Sequence, residues 1–153
     1  MEKMILCPTR GGRSSYPNQD MAIELAKKRR MDLLFLYVSN VRFLGMTASP
    51  VVVDIETELD EMGDFLLTMA QERAEKSGVH AETTVRRGVF RKVLREVIHE
   101  FPIGTIVFGS STAGTGITTP EFVHALVAAM SDETGLEFII VQDGKIVSTT
   151  PAD

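Results

Sequence analysis

The sequence predicts an α/β domain, a three-layer open sheet of five parallel strands with helices on both faces. Three observations carry that expectation. Short apolar runs alternate with segments whose apolar residues recur at helical spacing, from residue 3 to residue 141. The run at 33–38, Leu-Leu-Phe-Leu-Tyr-Val, is apolar at nearly every position, as strands are when helices cover both faces of a sheet. A chain of 153 residues, 44% hydrophobic and 24% charged, suits one core and leaves no space for a second comparable unit. With no internal repeat and no linker, residues 1–153 are read as a single domain.

The first strand is residues 3–7, closed by Pro8 and then by Gly11 and Gly12. From Asn18 onward Met21, Ala22, Leu25 and Ala26 repeat at helical spacing, and the basic run at 27–30 falls where cations favour a helix C-terminus. The second strand is 33–38. After a loop containing Gly45 and Pro50, the residues Val52, Ile55, Leu59, Met62, Leu66, Met69 and Ala70 form one stripe of a long helix ending near Gly78. Its acids, from Asp54 to Asp64, include no His or Cys that would complete a transition-metal site, so they read as a solvated face.

Alternation at 80–85 predicts a third strand, and the apolar positions from Val89 to Phe101 trace a helix that Pro102 stops. Residues 105–108 form a fourth strand opening into a loop of small residues, 109–116. Phe122, Val123, Leu126, Val127 and Met130 give a fourth helix, and 136–141 a fifth strand. The pair Asp143-Gly144 is a two-residue hairpin signal, so 145–149 are expected to fold back antiparallel on the fifth strand.

Composition narrows the function. With 16 basic and 21 acidic side chains the net charge is −5, which argues against general nucleic-acid binding. No apolar stretch has the roughly 18–20 residues that span a bilayer, so no membrane partner is expected. The N-terminus lacks a secretory core and Cys7 is the single cysteine, so a cytoplasmic location is expected. The histidines His80, His99 and His124 fall in separate elements and predict no metal site. No nucleophile-elbow signature occurs, and no catalytic residue is assigned. Arg86, Arg87, Arg91, Lys92 and Arg95 form a basic stripe, read as a solvated face.

In open sheets of this kind ligands bind beyond the carboxyl ends of the strands, where the strand order reverses. That directs attention to the loops after the first and fourth strands. In the latter, Gly109, Gly114 and Gly116 let backbone N–H groups approach an anion, and the following helix start adds free donors. Hydroxyls at Ser110, Ser111, Thr115, Thr118 and Thr119 can join them. The competing reading is a plain Gly/Ser/Thr loop with Thr119 capping the helix. In the former, Arg10 and Arg13 bring guanidinium groups suited to phosphate, whereas the competing reading is a surface loop turned by Ser14 or Ser15.

The residues Ile5-Leu6-Cys7-Pro8-Thr9-Arg10-Gly11-Gly12, the helix segment Met21 to Ala26, Gly88 ahead of a helix, and Ile106-Val107-Phe108-Gly109-Ser110 together resemble the universal stress protein family over nearly the whole chain. The resemblance implies strand order 3-2-1-4-5, a homodimer, and ATP, AMP or a related adenine nucleotide as ligand. It places the base near Pro8, Thr9 and Val38 and phosphates along 109–116, and Gly11 is counted among the binding residues without a part assigned to it. Arg10 stands where nucleotide-binding members carry Asp, and the glycine spacing is altered. Residues 10–15 also look similar to the loop of pyrophosphatase-loop adenylating enzymes, with Arg10 and Ser14 replacing its serine and aspartate.

The leading expectation is a regulatory protein that binds a phosphate-bearing small molecule. The alternative is a nucleotide-free dimeric interaction module. An ATP-cleaving or adenylating enzyme ranks third, because no acidic residue stands in these loops to hold a metal–phosphate complex.

Overall fold

A computed structural model describes residues 3–10, 13–39, 50–110 and 119–153, with backbone alone at Arg13, 50–57 and 59. Strand β1 is Met4–Pro8, followed by a 3₁₀ turn at Arg13–Ser15 and helix α1 at Tyr16–Arg29. Then come β2 (Asp32–Ser39), α2 (Pro50–Lys76), β3 (Ala81–Arg87), α3 (Phe90–Glu100), β4 (Ile103–Ser110), α4 (Pro120–Thr134), β5 (Glu137–Gln142) and β6 (Lys145–Thr150). The sheet runs β3-β2-β1-β4-β5-β6. Its first five strands are parallel, in the expected order, and β6 pairs antiparallel with β5.

Period-2 alternation builds two cores from one sheet. In β1 and β2, Met4, Leu6, Leu34 and Leu36 enter one core with residues of α3 and α4. Ile5, Cys7, Leu33 and Phe35 enter the other, with Ala22, Ile23 and Ala26 of α1 and Leu67, Ala70 and Ala74 of α2. The chain therefore leaves β1 toward one face and β4 toward the other. The hairpin turn is type I′, with φ of 50° at Asp143 and 84° at Gly144.

Several expectations need correction. Helix α1 starts at Tyr16 rather than Asn18, with Pro17 in its first turn, where a missing N–H costs nothing. Strand β4 continues through Gly109 and Ser110, which are ladder residues opposite Val141 and Gln142 and not loop. On α2 the expected stripe is only partly the buried one: Ala70 is buried, but Leu66 and Met69 are half-buried and Met62 is 52% exposed, with Phe65 beside it at 64%. The buried face is Gly63, Leu67, Ala70 and Ala74. Small residues bring this helix close, since a Cβ on Gly63 would lie 2.7 Å from Tyr37 Cδ1. The basic stripe is largely neutralised, with Arg86 on Glu100 at 2.8 Å, Arg95 on Glu133 at 2.6 Å, and Arg87 on Asp60. No described helix is long and apolar enough to cross a membrane.

Candidate functional site

Where β1 and β4 run side by side their carboxyl ends part, and a cleft opens between the start of α1 and the start of α3. This is the switch point of the sheet, the position where open α/β sheets take ligands. Its volume is about 80 Å³, several times the roughly 10–15 Å³ that one water needs. The apolar part is made by Pro8, Leu36, Val38, Val107 and Phe108, with Phe90 from α3. The polar part is Thr9, Arg10, Ser14, Ser15, Asn18 and Ser110.

Six of the residues singled out from sequence meet here: Pro8, Thr9, Arg10, Val38, Gly109 and Ser110. Gly11, Ser111, Gly114, Thr115, Gly116 and Thr118 lie outside the described residues, as does the side chain of Arg13. Thr119 follows the capping reading. Its Oγ1 accepts from the Phe122 N–H at 3.3 Å, ahead of Pro120 in the first turn of α4.

Two amides unnoticed in the sequence organise the polar side. Gln19 is only 1% exposed. Its Oε1 accepts from Arg73 Nη1 at 2.7 Å, and because a guanidinium can only donate, the amide NH₂ is turned to Thr9 Oγ1 at 2.8 Å. Arg73 also pairs with Asp20 and lies 4.0 Å from the centre of the Tyr16 ring, which fixes the first turns of α1. Asn18 accepts from the Gly144 N–H at 3.0 Å and directs its Nδ2 to the Ser110 carbonyl at 3.5 Å. A signal for Gln19 existed: it sits at helical spacing with Ala22, Ile23 and Ala26, a polar side chain on an apolar stripe.

Ser110 is 1% exposed, and its Oγ has no hydrogen-bond partner among the described residues. Leaving a buried hydroxyl unpaired costs about 1–3 kcal/mol, so an oxygen or nitrogen bound in the cleft would recover that loss. Among the described lining residues Arg10 carries the only charge, and no carboxylate opposes it. The cleft thus combines an apolar wall with polar groups and a cation, an arrangement that suits an anion with an apolar portion. Cys7, beneath it, is unsuited to nucleophilic work because burial pushes its thiol up to about 12. Among the described residues no three His, Cys, Asp or Glu side chains converge on a metal position.

Residues 1–117 match a family model described as the universal stress protein family. No curated protein sequence matches the chain. Solved structures do. Universal stress protein UspA from Lactobacillus plantarum superposes with a TM-score of 0.70 at 16% identity, covering 92% of this chain and 99% of that one. A universal stress protein in complex with cAMP gives 0.63 at 20% identity, covering 91% and 96%. The universal stress protein from Archaeoglobus fulgidus in complex with dAMP gives 0.55 at 13% identity, covering 92% and 97%. At such identities the likeness is one of fold.

Proposed function

The chain belongs to the universal stress protein family, and from that premise we propose that it is a cytoplasmic regulatory protein whose cleft binds an adenine nucleotide or another phosphate-bearing ligand without turning it over. The observation that carries this reading is the presence in one cleft of Arg10, the sole charged group among the described lining residues, and the buried hydroxyl of Ser110, which has no partner among the described residues. The two relatives solved with cAMP and dAMP support it. In this reading Pro8, Thr9 and Val38 border the base, while Arg10, Gly109 and Ser110 serve the charged part, together with the residues of 111–118 and Gly11 and Arg13.

Calorimetry with ATP, AMP and cAMP at millimolar concentration tests it. At least one is expected to bind, and Arg10→Ala to weaken it by about tenfold or more, since a hydrogen bond to a charged group contributes on the order of 1.5–3 kcal/mol. No heat from any of the three would overturn the reading.

A second reading, the nucleotide-free dimeric module, is favoured by Arg10 itself, which stands where nucleotide-binding members carry an aspartate, and by the outer strand β6 with Ile146 44% and Val147 51% exposed. It expects a homodimer whose thermal midpoint ignores nucleotides, because only a ligand preferring the native state raises stability.

A further inference from the structure

We propose that Phe90 is a specificity-determining residue of the cleft, the platform on which a flat ring of the ligand packs. The inference rests on the cleft being the ligand site proposed above and adds which part of the ligand this side chain reads. Phe90 opens α3 directly after the Gly88-Val89 corner, is half-buried, and lines the cleft. Its ring centre lies 6.3 Å from that of Phe108, with the planes tilted by 57°. Phe108, 3% exposed, stacks in turn on Phe138 at 6.0 Å and 17°. A buried aromatic column therefore holds Phe90 from behind while the side chain still contributes to the cleft wall.

Bare phosphate has no use for such a wall. Anion binding needs N–H groups, hydroxyls and a cation, and those sit at Arg10 and Ser110. Pro8, Leu36, Val38 and Phe90 supply instead a dry surface of the kind on which planar rings stack. The apolar and cationic parts together fit a ligand with a ring at one end and a phosphate at the other, the chemistry of a nucleoside monophosphate.

The test compares AMP with ribose 5-phosphate, which keeps the sugar phosphate and lacks the ring, by calorimetry on the wild-type chain and on Phe90→Leu and Phe90→Tyr. Stacking on an aromatic side chain typically changes affinity by about tenfold or more. The expected result is AMP bound at least about tenfold tighter than ribose 5-phosphate, a loss of about that size for AMP in Phe90→Leu, no change for ribose 5-phosphate, and recovery of AMP binding in Phe90→Tyr. Equal binding of the two ligands by the wild-type chain overturns the proposal without any variant, as does Phe90→Leu weakening both alike or neither. Binding of neither ligand overturns it together with the nucleotide reading. AMP binding that survives Phe90→Leu unchanged removes the platform alone and leaves that reading standing.

Discussion

Asn18 ties three distant parts of the chain with one amide: the first turn of α1 that carries it, the Gly144 N–H in the hairpin turn, and the Ser110 carbonyl at the end of β4. Such an anchor needs space beside β4, and Gly109 provides it. A Cβ there would lie 2.7 Å from Asn18 Nδ2. Gly109→Ala is therefore expected to push the amide aside, release the Gly144 N–H, and lower stability by about 1–3 kcal/mol, the usual range for overpacking and an unpaired donor. A double-mutant cycle in chemical denaturation checks the cause: with Asn18→Ala already present, adding Gly109→Ala should cost much less. Additive effects would exclude the contact as the reason. Gly109 and Ser110 stood out in the sequence as part of a phosphate loop, and Gly144 as part of a hairpin turn, but none of them as a partner of Asn18. The use of Gly109 against Asn18 depends on two residues 91 positions apart meeting across the β4–α1 contact, which no local pattern reveals.

At the scale of elements, strand and helix order, the hairpin and the parallel topology were legible because each follows from a period and a punctuating residue. The orientation of α2 was not. The predicted stripe of Met62, Leu66, Met69 and Ala70 shares only Ala70 with the buried face of Gly63, Leu67, Ala70 and Ala74, since closeness to β2 favours small residues over most large ones. Ion pairs between elements were equally hidden, and one of them makes a prediction. Glu137 at the start of β5 receives both guanidinium nitrogens of Arg29 from the last turn of α1, at 2.5 and 3.2 Å, and the Thr105 hydroxyl at 2.8 Å. The Arg29 hydrogen bond is the main cause holding its carboxyl below the ordinary range. A depressed folded-state pKa means stability that is complete above the unfolded value, about 4.3, and lost as pH falls through the folded one. Glu137→Gln should cost about 1 kcal/mol at pH 7, a modest figure because water still reaches this partly exposed pair and screens it. That cost should shrink on acidification below about pH 4.3. Glu100, held down by Arg86, titrates in the same direction, so the difference between wild type and variant in urea titrations at each pH is the quantity to read. A difference that stays constant down to pH 3 would contradict the assignment.

For the whole molecule, the sheet has one outer strand of unusual character. β6 closes the parallel sheet by covering β5, whose Phe138, Ile139, Ile140 and Val141 are at most 1% exposed, and in doing so becomes the edge itself. Edge strands invite a second chain unless something blunts them. Here the pairing slips between Ile140 and Val141, so Val147 has no partner residue on β5, and such an irregularity shortens the ladder a second chain could extend. Side chains, more than backbone, are then what the edge offers: Ile146 and Val147, neighbours in the chain and both about half exposed. A homodimer built on this strand would bury that apolar pair. Val147→Lys places charge on an exposed position without touching either core, so it should change the protomer's own folding free energy by no more than about 0.5 kcal/mol while shifting sedimentation from dimer toward monomer. Truncation after Val141 is the less informative test, since it would strip the cover from β5 and expose a fully apolar edge. If the wild-type chain sediments as a dimer and Val147→Lys sediments identically, assembly uses another surface. The exposed face of α2 at Met62 and Phe65 is then the next to substitute, because these two are the most exposed large apolar side chains among the described residues.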